Sequence, residues 1–119
     1  MTLVDTSVWI QHFRESNAIL MELLYEGKVL CHPFVIGELA CGTMANRNAI
    51  LDLMQALPSS PVAEHEEVLG LLHVEHLYGQ GLGWVDLHIL ASTRLGSAIL
   101  WTFDKQLHRA ASALKLTRF

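Results

Sequence analysis

The feature that most constrains the fold is the alternation of very short apolar runs with longer segments of helical character. The runs at residues 3–4, 29–31 and 98–102 have the length of strands, and each precedes a segment with apolar residues at helical spacing. Strands that alternate with helices are typical of βαβ units, which build parallel sheets covered by helices on both faces. The sequence therefore predicts an α/β fold, a three-layer α/β/α sandwich with a four- or five-stranded, mostly parallel sheet.

Element boundaries follow from apolar spacing and from residues that start or stop helices, such as Pro33, Gly27 and Gly42. Besides the three runs above, we expect a strand stub at 62–63 and an edge strand at 114–117. Helices are expected at residues 8–15, 18–26, 33–41, 48–57, 64–78, 85–95 and 105–113. The length of 119 residues suits one domain, which we expect to span residues 1–119.

Composition predicts a compact globular protein. Hydrophobic residues make up 51% of the chain, whereas disordered segments combine low hydrophobicity with high charge. No run approaches the roughly 20 apolar residues that span a bilayer, and Asp5 interrupts the N-terminal run too early for a signal peptide. We therefore expect a cytoplasmic protein without a membrane segment. In that setting Cys31 and Cys41 are expected to be reduced core residues, and their spacing does not suit a zinc site.

The charges are distributed unevenly along the chain. The net charge of −4 argues against a protein that coats nucleic acid by charge alone. Residues 1–93 contain eleven acids and three bases, whereas residues 94–119 contain one acid and five bases: Arg94, Lys105, Arg109, Lys115 and Arg118. Two interpretations remain open, a basic segment that meets phosphates beside an acidic, cation-binding centre, and an ordinary solvated helix face.

Three of the four aspartates lie where a strand ends or a helix begins. Asp5 and Asp104 follow predicted strands, and Asp86 lies in the first turn of a helix after a glycine-rich connection. Ligands of open parallel sheets bind beyond the carboxyl ends of the strands, so Asp5 and Asp104 would meet in one crevice if their strands are neighbours. Helix capping, which contributes about 1 kcal/mol, remains an alternative for each of the three.

Glu38 has no such capping position. In a helix that opens at Pro33, its neighbours one turn away are apolar residues and a glycine, and no lysine or arginine lies within a turn. An ionised carboxylate is costly to bury unless it is paired or binds a metal, although a glutamate can also reach the helix edge. Converging carboxylates repel one another, and a hard divalent cation such as Mg²⁺ relieves that repulsion. The acids therefore predict metal-dependent phosphoryl chemistry, with Thr6 and Ser7 adding polar contacts.

Four short motifs contain these acids. They are Val-Asp-Thr-Ser-Val-Trp at 4–9, Ile-Gly-Glu-Leu at 36–39, Gly-Trp-Val-Asp at 83–86 and Trp-Thr-Phe-Asp at 101–104. In these motifs, in their order and in chain length, the sequence resembles PIN-domain nucleases, and among them the VapC-type toxins of bacterial toxin–antitoxin pairs. The resemblance covers essentially the whole chain. Leu107 departs from it, because many relatives have an aromatic residue there, and we expect this position to serve packing.

The resemblance implies an activity, a cofactor and partners. It implies that Mg²⁺ or Mn²⁺ is bound by the four acids Asp5, Glu38, Asp86 and Asp104. Metal-activated water would then hydrolyse RNA, leaving a 3′-hydroxyl and a 5′-phosphate. Thr102 matches a position where the family often has serine or threonine near the site. Family members usually form homodimers, and a VapB-type antitoxin inhibits them, often by inserting an arginine among the acids, which an acidic pocket favours.

Other function classes fit less well. A receiver-like signalling domain, which also binds Mg²⁺, needs a lysine at a later strand end, and none occurs between Lys28 and Lys105. A haloacid-dehalogenase-type phosphatase needs Asp-x-Asp after the first strand, and position 7 is serine. A non-catalytic RNA- or protein-binding module on the same fold has no need for four clustered acids.

Several further features are interpreted as structural. The glycines at 79, 81 and 83 follow a helix and are expected to form a connector, not a phosphate loop. His73 and His76 are expected on a solvated helix face. The tryptophans are expected to be core or dimer-interface anchors: Trp9, Trp84 and Trp101. A role in phosphate binding or proton transfer is left open for the histidines near the acids: His12, His88 and His108.

Overall fold

The computed structural model describes residues 1–117, in which a three-stranded parallel sheet is surrounded by helices. The strands are β1 (Thr2–Val4), β2 (Val29–Leu30) and β3 (Ile99–Trp101), in the spatial order β2-β1-β3. The helices are α1 (Thr6–Arg14), α2 (Ala18–Tyr25), α3 (Pro33–Cys41), α4 (Arg47–Gln55), α5 (His65–Val74), α6 (Trp84–Leu95) and α7 (Lys105–Ala113). Arg118, counted above among the bases, and the end of the predicted domain lie outside the described residues.

The central strand β1 shows why the sheet organises the core. Its residues Thr2, Leu3 and Val4 are all buried, with exposures of 2%, 0% and 0%. Successive side chains of a strand point to opposite faces, so both faces of the sheet are covered. This burial fits the predicted α/β sandwich. Strand β1 pairs in parallel with β2 and β3, which places the ends of β1 and β3 side by side.

Across the described residues the sheet has fewer strands than the four or five that the sequence predicts. Residues 62–63 form no strand, and Ser59 instead makes a single parallel bridge to Cys31. Pro58 and Pro61 flank this bridge, and proline lacks the N–H that a longer ladder would require. Residues 114–117 are not a strand in the part of the chain that the structure describes, although Leu100 N of β3 donates to Leu116 O at 2.6 Å.

Left-handed residues end several helices. Helix α5 stops at Val74, four residues earlier than predicted, because His76 has φ 54° and Leu77 N donates to Leu72 O, closing a Schellman turn. Ser97 ends α6 in the same way, with φ 50° and a bond from Ala98 N to Thr93 O. Stop signals without glycine are weak in sequence, which explains the misplaced end of α5.

The two cysteines differ in environment. Both are free, as expected, but only Cys31 is buried, whereas Cys41 is exposed at the end of α3, contrary to the expectation of a core residue. Burial raises the pKa of the Cys31 thiol to about 11, so this thiol stays protonated and unreactive at neutral pH. Within residues 1–117, no helix combines the length and the apolar character needed to cross a membrane.

Candidate active site

Asp5 lies at the carboxyl end of β1 and is 8% exposed. Its backbone N–H donates to the carbonyl of Trp101 at 2.9 Å, which ties the end of β1 to the end of β3. The strands that precede the two acids are therefore neighbours, which is the condition for Asp5 and Asp104 to face one crevice, and Asp104 follows β3 by three residues.

Two hydroxyl groups hold the Asp5 carboxylate. Thr102 Oγ1 donates to Asp5 Oδ2 at 2.7 Å, and Ser7 Oγ donates to the same oxygen at 2.9 Å. Both hydroxyl oxygens also accept backbone N–H groups of the next segment, from Asp104 to Thr102 and from Phe103 to Ser7, each at 3.0 Å. These bonds lock Asp5 and the chain leading to Asp104 into one arrangement, with Ser7 and Thr102 in the supporting positions that the sequence suggested.

Asp104 is the N-cap of α7. Its Oδ1 accepts the backbone N–H of Leu107 at 2.9 Å, so the capping alternative is true of this residue. Capping occupies only one carboxylate oxygen, and the exposed Asp104 keeps Oδ2 for another partner. Leu107 itself is fully buried, in agreement with a packing role at this departure from the family pattern.

Asp86 lies in the first turn of α6 and is partly buried. Its Oδ2 accepts the backbone N–H of Gly83 at 2.9 Å, so it too stabilises a helix start. Its pKa is raised, chiefly by burial and also by the negative charges of Asp104 and Asp5, while the bond from Gly83 acts in the opposite direction. Because the charges of Asp5 and Asp104 act on Asp86, the three acids form one electrostatic cluster.

Glu38 is exposed on α3, so the argument from costly burial is wrong for this residue. Thr6 Oγ1 donates to Glu38 Oε1 at 2.6 Å, which joins Glu38 to the residue directly after Asp5. Among residues 1–117 the ion pairs are Lys28–Glu26 and Arg94–Glu75, and neither involves Glu38.

The carboxylate oxygens of the four acids suit a divalent cation that keeps part of its water shell better than a cation bound only by protein atoms. Within the described chain, no three histidine, cysteine or acidic side chains are already arranged as metal ligands. Each of the four acids has one oxygen that accepts a protein hydrogen bond, and across residues 1–117 the other oxygen accepts none. Mg²⁺ keeps several waters and binds directly to only one or two carboxylates, which matches oxygens that are oriented but unpaired.

The histidines near the acids make no hydrogen bond to them in the described chain. His12 Nδ1 accepts the backbone N–H of Asn17 at 2.9 Å, and His108 Nε2 lies 3.4 Å from Ser112 Oγ. His88 is buried with its Nδ1 unpartnered within residues 1–117, and burial together with His65 lowers its pKa.

The remaining features mostly agree with their structural interpretation. Gly79 and Gly81 have positive φ values in a connecting turn. His73 is exposed on α5 as expected, whereas His76 is exposed but lies beyond the end of this helix. Trp9 and Trp101 are core residues, with exposures of 3% and 5%. Trp84 is 38% exposed at the start of α6, so of the two roles expected for it, the dimer-interface role stays a prediction.

Sequence reasoning missed His32, a fully buried histidine that caps the helix of Glu38. His32 Nδ1 accepts the backbone N–H of Phe34 at 2.9 Å, so the ring proton is on Nε2, which donates to Ser92 Oγ at 3.0 Å. Burial, with a smaller effect of His88, lowers the pKa of His32 to about 4. Its position directly before Pro33 at a helix start was the available signal, because that is an N-cap position.

Comparison with known proteins adds to this geometry. The family model of the PIN domain matches residues 2–113, a range that contains all four acids. The chain is 50% identical over 113 residues to "Ribonuclease VapC32" of Mycobacterium tuberculosis strain CDC 1551 / Oshkosh, and the same values hold for that protein in strain ATCC 25618 / H37Rv. Each match covers 94% of this chain and 91% of the relative.

Proposed function

Because this chain belongs to the PIN-domain family, we propose that it is a metal-dependent endoribonuclease that acts as the toxin of a toxin–antitoxin pair. The observation that carries the proposal is the placement of Asp5, Asp86 and Asp104 at the starts of three different helices, with Asp5 tied by Thr102 to the backbone of Asp104. Burial chiefly raises the pKa of Asp86, and the negative charges of Asp104 and Asp5 add to this rise. A group of carboxylates without a paired base is suited to a cation and poorly suited to an anion. The identity of half of the residues to a ribonuclease supports RNA as the substrate.

The residues that would hold the cation are Asp5, Glu38, Asp86 and Asp104, and Mg²⁺ or Mn²⁺ is the expected metal. When bound, such a cation activates water and stabilises negative charge on the scissile phosphodiester. Hydrolysis would leave a 3′-hydroxyl and a 5′-phosphate. Because water is the attacking group, no side chain of the site is needed as a nucleophile.

The chain's own residues orient the acids. Thr102 and Ser7 direct Asp5 by binding one of its oxygens, and Thr6 does the same for Glu38. Each acid thereby presents its other oxygen in a defined direction, which reduces the entropy lost when a cation or substrate binds. These hydroxyls act through the acids and are therefore positioning residues.

The proposal extends to partners and organisation. An acidic cluster without an internal base is electrostatically suited to an arginine supplied by a VapB-type antitoxin. We further propose a homodimer, a single domain over residues 1–119 and a location in the cytoplasm, where RNA and such an antitoxin would be met. Membership of the PIN family disfavours the receiver-like alternative. The other alternative, a module that binds RNA or protein without catalysis, differs from a nuclease in its lack of RNA cleavage.

The experiment compares wild type, Asp5→Asn and the matched control Asp52→Asn, which changes an exposed aspartate on α4. Each is expressed in a bacterial host and RNA 5′ ends are mapped; purified proteins are then assayed on the same RNA with Mn²⁺ and after chelation. Wild type and Asp52→Asn should arrest growth and generate new 5′-phosphate ends, and Asp5→Asn should do neither. Equal effects of wild type and Asp5→Asn would reject the proposal, and RNA binding without cleavage by wild type would support the non-catalytic module.

A further inference from the structure

Two open grooves lie beside the acid cluster, the name used here for Asp5, Glu38, Asp86 and Asp104. The first, here called the Arg14 groove, has a volume of about 330 Å³ and contains Glu38 beside Phe13, Arg14 and Met44. The second, the Phe103 groove, has a volume of about 350 Å³ and is lined by Trp101, Thr102, Phe103, Lys105 and His108. Both volumes lie at the lower end of the range for small-ligand pockets. Each groove therefore accepts a group about the size of one nucleotide.

The two grooves are linked through residues that follow Asp5. Thr6 binds Glu38, which lines the Arg14 groove, and Ser7 binds the backbone N–H of Phe103 and lies 3.3 Å from the Thr102 hydroxyl in the other groove. Asp5 directly precedes Thr6, which contacts a residue of the first groove, and Ser7, which contacts residues of the second. A strand that ran from one groove to the other past these contacts would pass the Asp5 carboxylate.

The positively charged side chains in the two grooves, Arg14 and Lys105, form no ion pair or hydrogen bond with residues 1–117. Of the three bases in residues 1–93, Lys28 pairs with Glu26 and Arg47 donates to the Ala40 carbonyl at 2.6 Å. The guanidinium of Arg14 makes neither a hydrogen bond nor an ion pair with any residue of 1–117, and the same holds for the ammonium of Lys105. Two unpaired cations beside an acidic site are complementary to the phosphates that flank a scissile bond.

Aromatic surface accompanies the cations. Phe103 is 50% exposed directly before Asp104, and Phe13 lies partly exposed beside Arg14. Bases of single-stranded nucleic acid stack on such rings, whereas bases of a duplex are already stacked on one another. An exposed ring beside each unpaired cation therefore favours a single RNA strand over a duplex.

We propose that a single RNA strand crosses the acid cluster from the Arg14 groove to the Phe103 groove. Arg14 and Lys105 each pair with a backbone phosphate, and Phe103 stacks on an unpaired base next to the cleaved bond. This inference rests on the proposed ribonuclease function and specifies how its substrate is held.

The test measures binding of a short fluorescent single-stranded RNA of mixed sequence to Asp5→Asn protein in Mg²⁺, between about 50 and 200 mM salt. Arg14→Ala is compared with Arg94→Ala, and Lys105→Ala with Lys28→Ala, because each control removes the same charge from a paired residue elsewhere. Phe103→Ala is compared with Phe103→Tyr, which keeps a ring. Cleavage by the otherwise wild-type protein is measured in parallel.

Removing Arg14 or Lys105 should reduce the slope of log affinity against log salt by about 0.7 each, the value for one phosphate contact with a single strand. The two charge controls should leave the slope unchanged. Phe103→Ala should weaken binding about tenfold at every salt concentration, and Phe103→Tyr should restore it. Wild-type cleavage combined with Arg14 and Lys105 variants that match their controls would overturn this inference alone. A wild type that neither cleaves nor binds RNA would overturn the proposed function as well.

Discussion

Thr102 donates its hydroxyl hydrogen bond to Asp5 across 2.7 Å, although 97 positions separate the two residues in sequence. The same hydroxyl oxygen accepts the backbone N–H of Asp104, so one side chain connects the acids at the ends of two neighbouring strands. Because β1 and β3 pair in parallel, their ends meet at one edge of the sheet and this contact becomes possible. Together with Ser7 and the backbone bond from Asp5 to Trp101, this threonine fixes the geometry of the candidate site.

Replacing Thr102 should reduce both stability and cleavage. Thr102→Val removes the hydroxyl but keeps the shape, which leaves the Asp104 N–H without its partner and costs about 1–3 kcal/mol. Thr102→Ser keeps the hydroxyl and should retain most activity. Urea unfolding and RNA cleavage assays of the three proteins check this expectation. A valine variant as active as wild type would show that Thr102 does not position Asp5.

Divalent metal should stabilise the folded protein. A cation that binds only the native state raises the free energy of unfolding with its concentration, by about 2.7 kcal/mol at one hundred times Kd. Thermal unfolding of wild type and of Asp52→Asn should therefore shift to higher temperature with Mn²⁺. Asp5→Asn and Asp104→Asn should show a much smaller shift. If all four proteins respond alike, the cation binds elsewhere on the molecule.

Glu38→Gln should separate activity from stability. Glu38 is exposed and accepts one hydrogen bond, from Thr6, which a glutamine oxygen can also accept. The expected change in the free energy of unfolding is within about 0.5 kcal/mol, the range of ordinary surface substitutions. Cleavage should nevertheless be lost, because the glutamine has no charge for a cation. Glu22→Gln, on the exposed face of α2, is the matched control. A large loss of stability in Glu38→Gln would assign the residue a structural role instead.

Stability should fall in mild acid because of His32. Its pKa is lowered from 6.5 to about 4 in the folded chain, so between these values the unfolded state binds a proton that the native state does not. Above about pH 6.5 His32 is neutral in both states and the free energy of unfolding is unaffected by its titration. As the pH falls from 6.5 towards 4, the free energy of unfolding decreases by up to about 3 kcal/mol.

NMR titration of the His32 ring should show a pKa near 4, and His32→Asn should be less stable at neutral pH but less sensitive to acid. An ordinary histidine pKa near 6.5 would contradict this prediction.

The four acids were assigned to one site on different grounds. Strand ends pointed to Asp5 and Asp104, the absence of a capping role pointed to Glu38, and the resemblance to PIN-domain nucleases added Asp86. Local patterns reveal such positions because strand ends and helix starts are written in a few adjacent residues. The same patterns misplaced the end of α5, since a left-handed His76 carries no glycine signal.

The sequence by itself determined the α/β class, the order of helices and the identity of the acids, because each depends on residues close together in the chain. Tertiary structure alone decided that the sheet has three strands within residues 1–117, that Glu38 is exposed, and that His32 is a buried cap bonded to Ser92. It also decided that one hydroxyl joins Asp5 to Asp104. Burial and long-range hydrogen bonds depend on which distant segments pack together, and apolar spacing within one segment does not specify that packing.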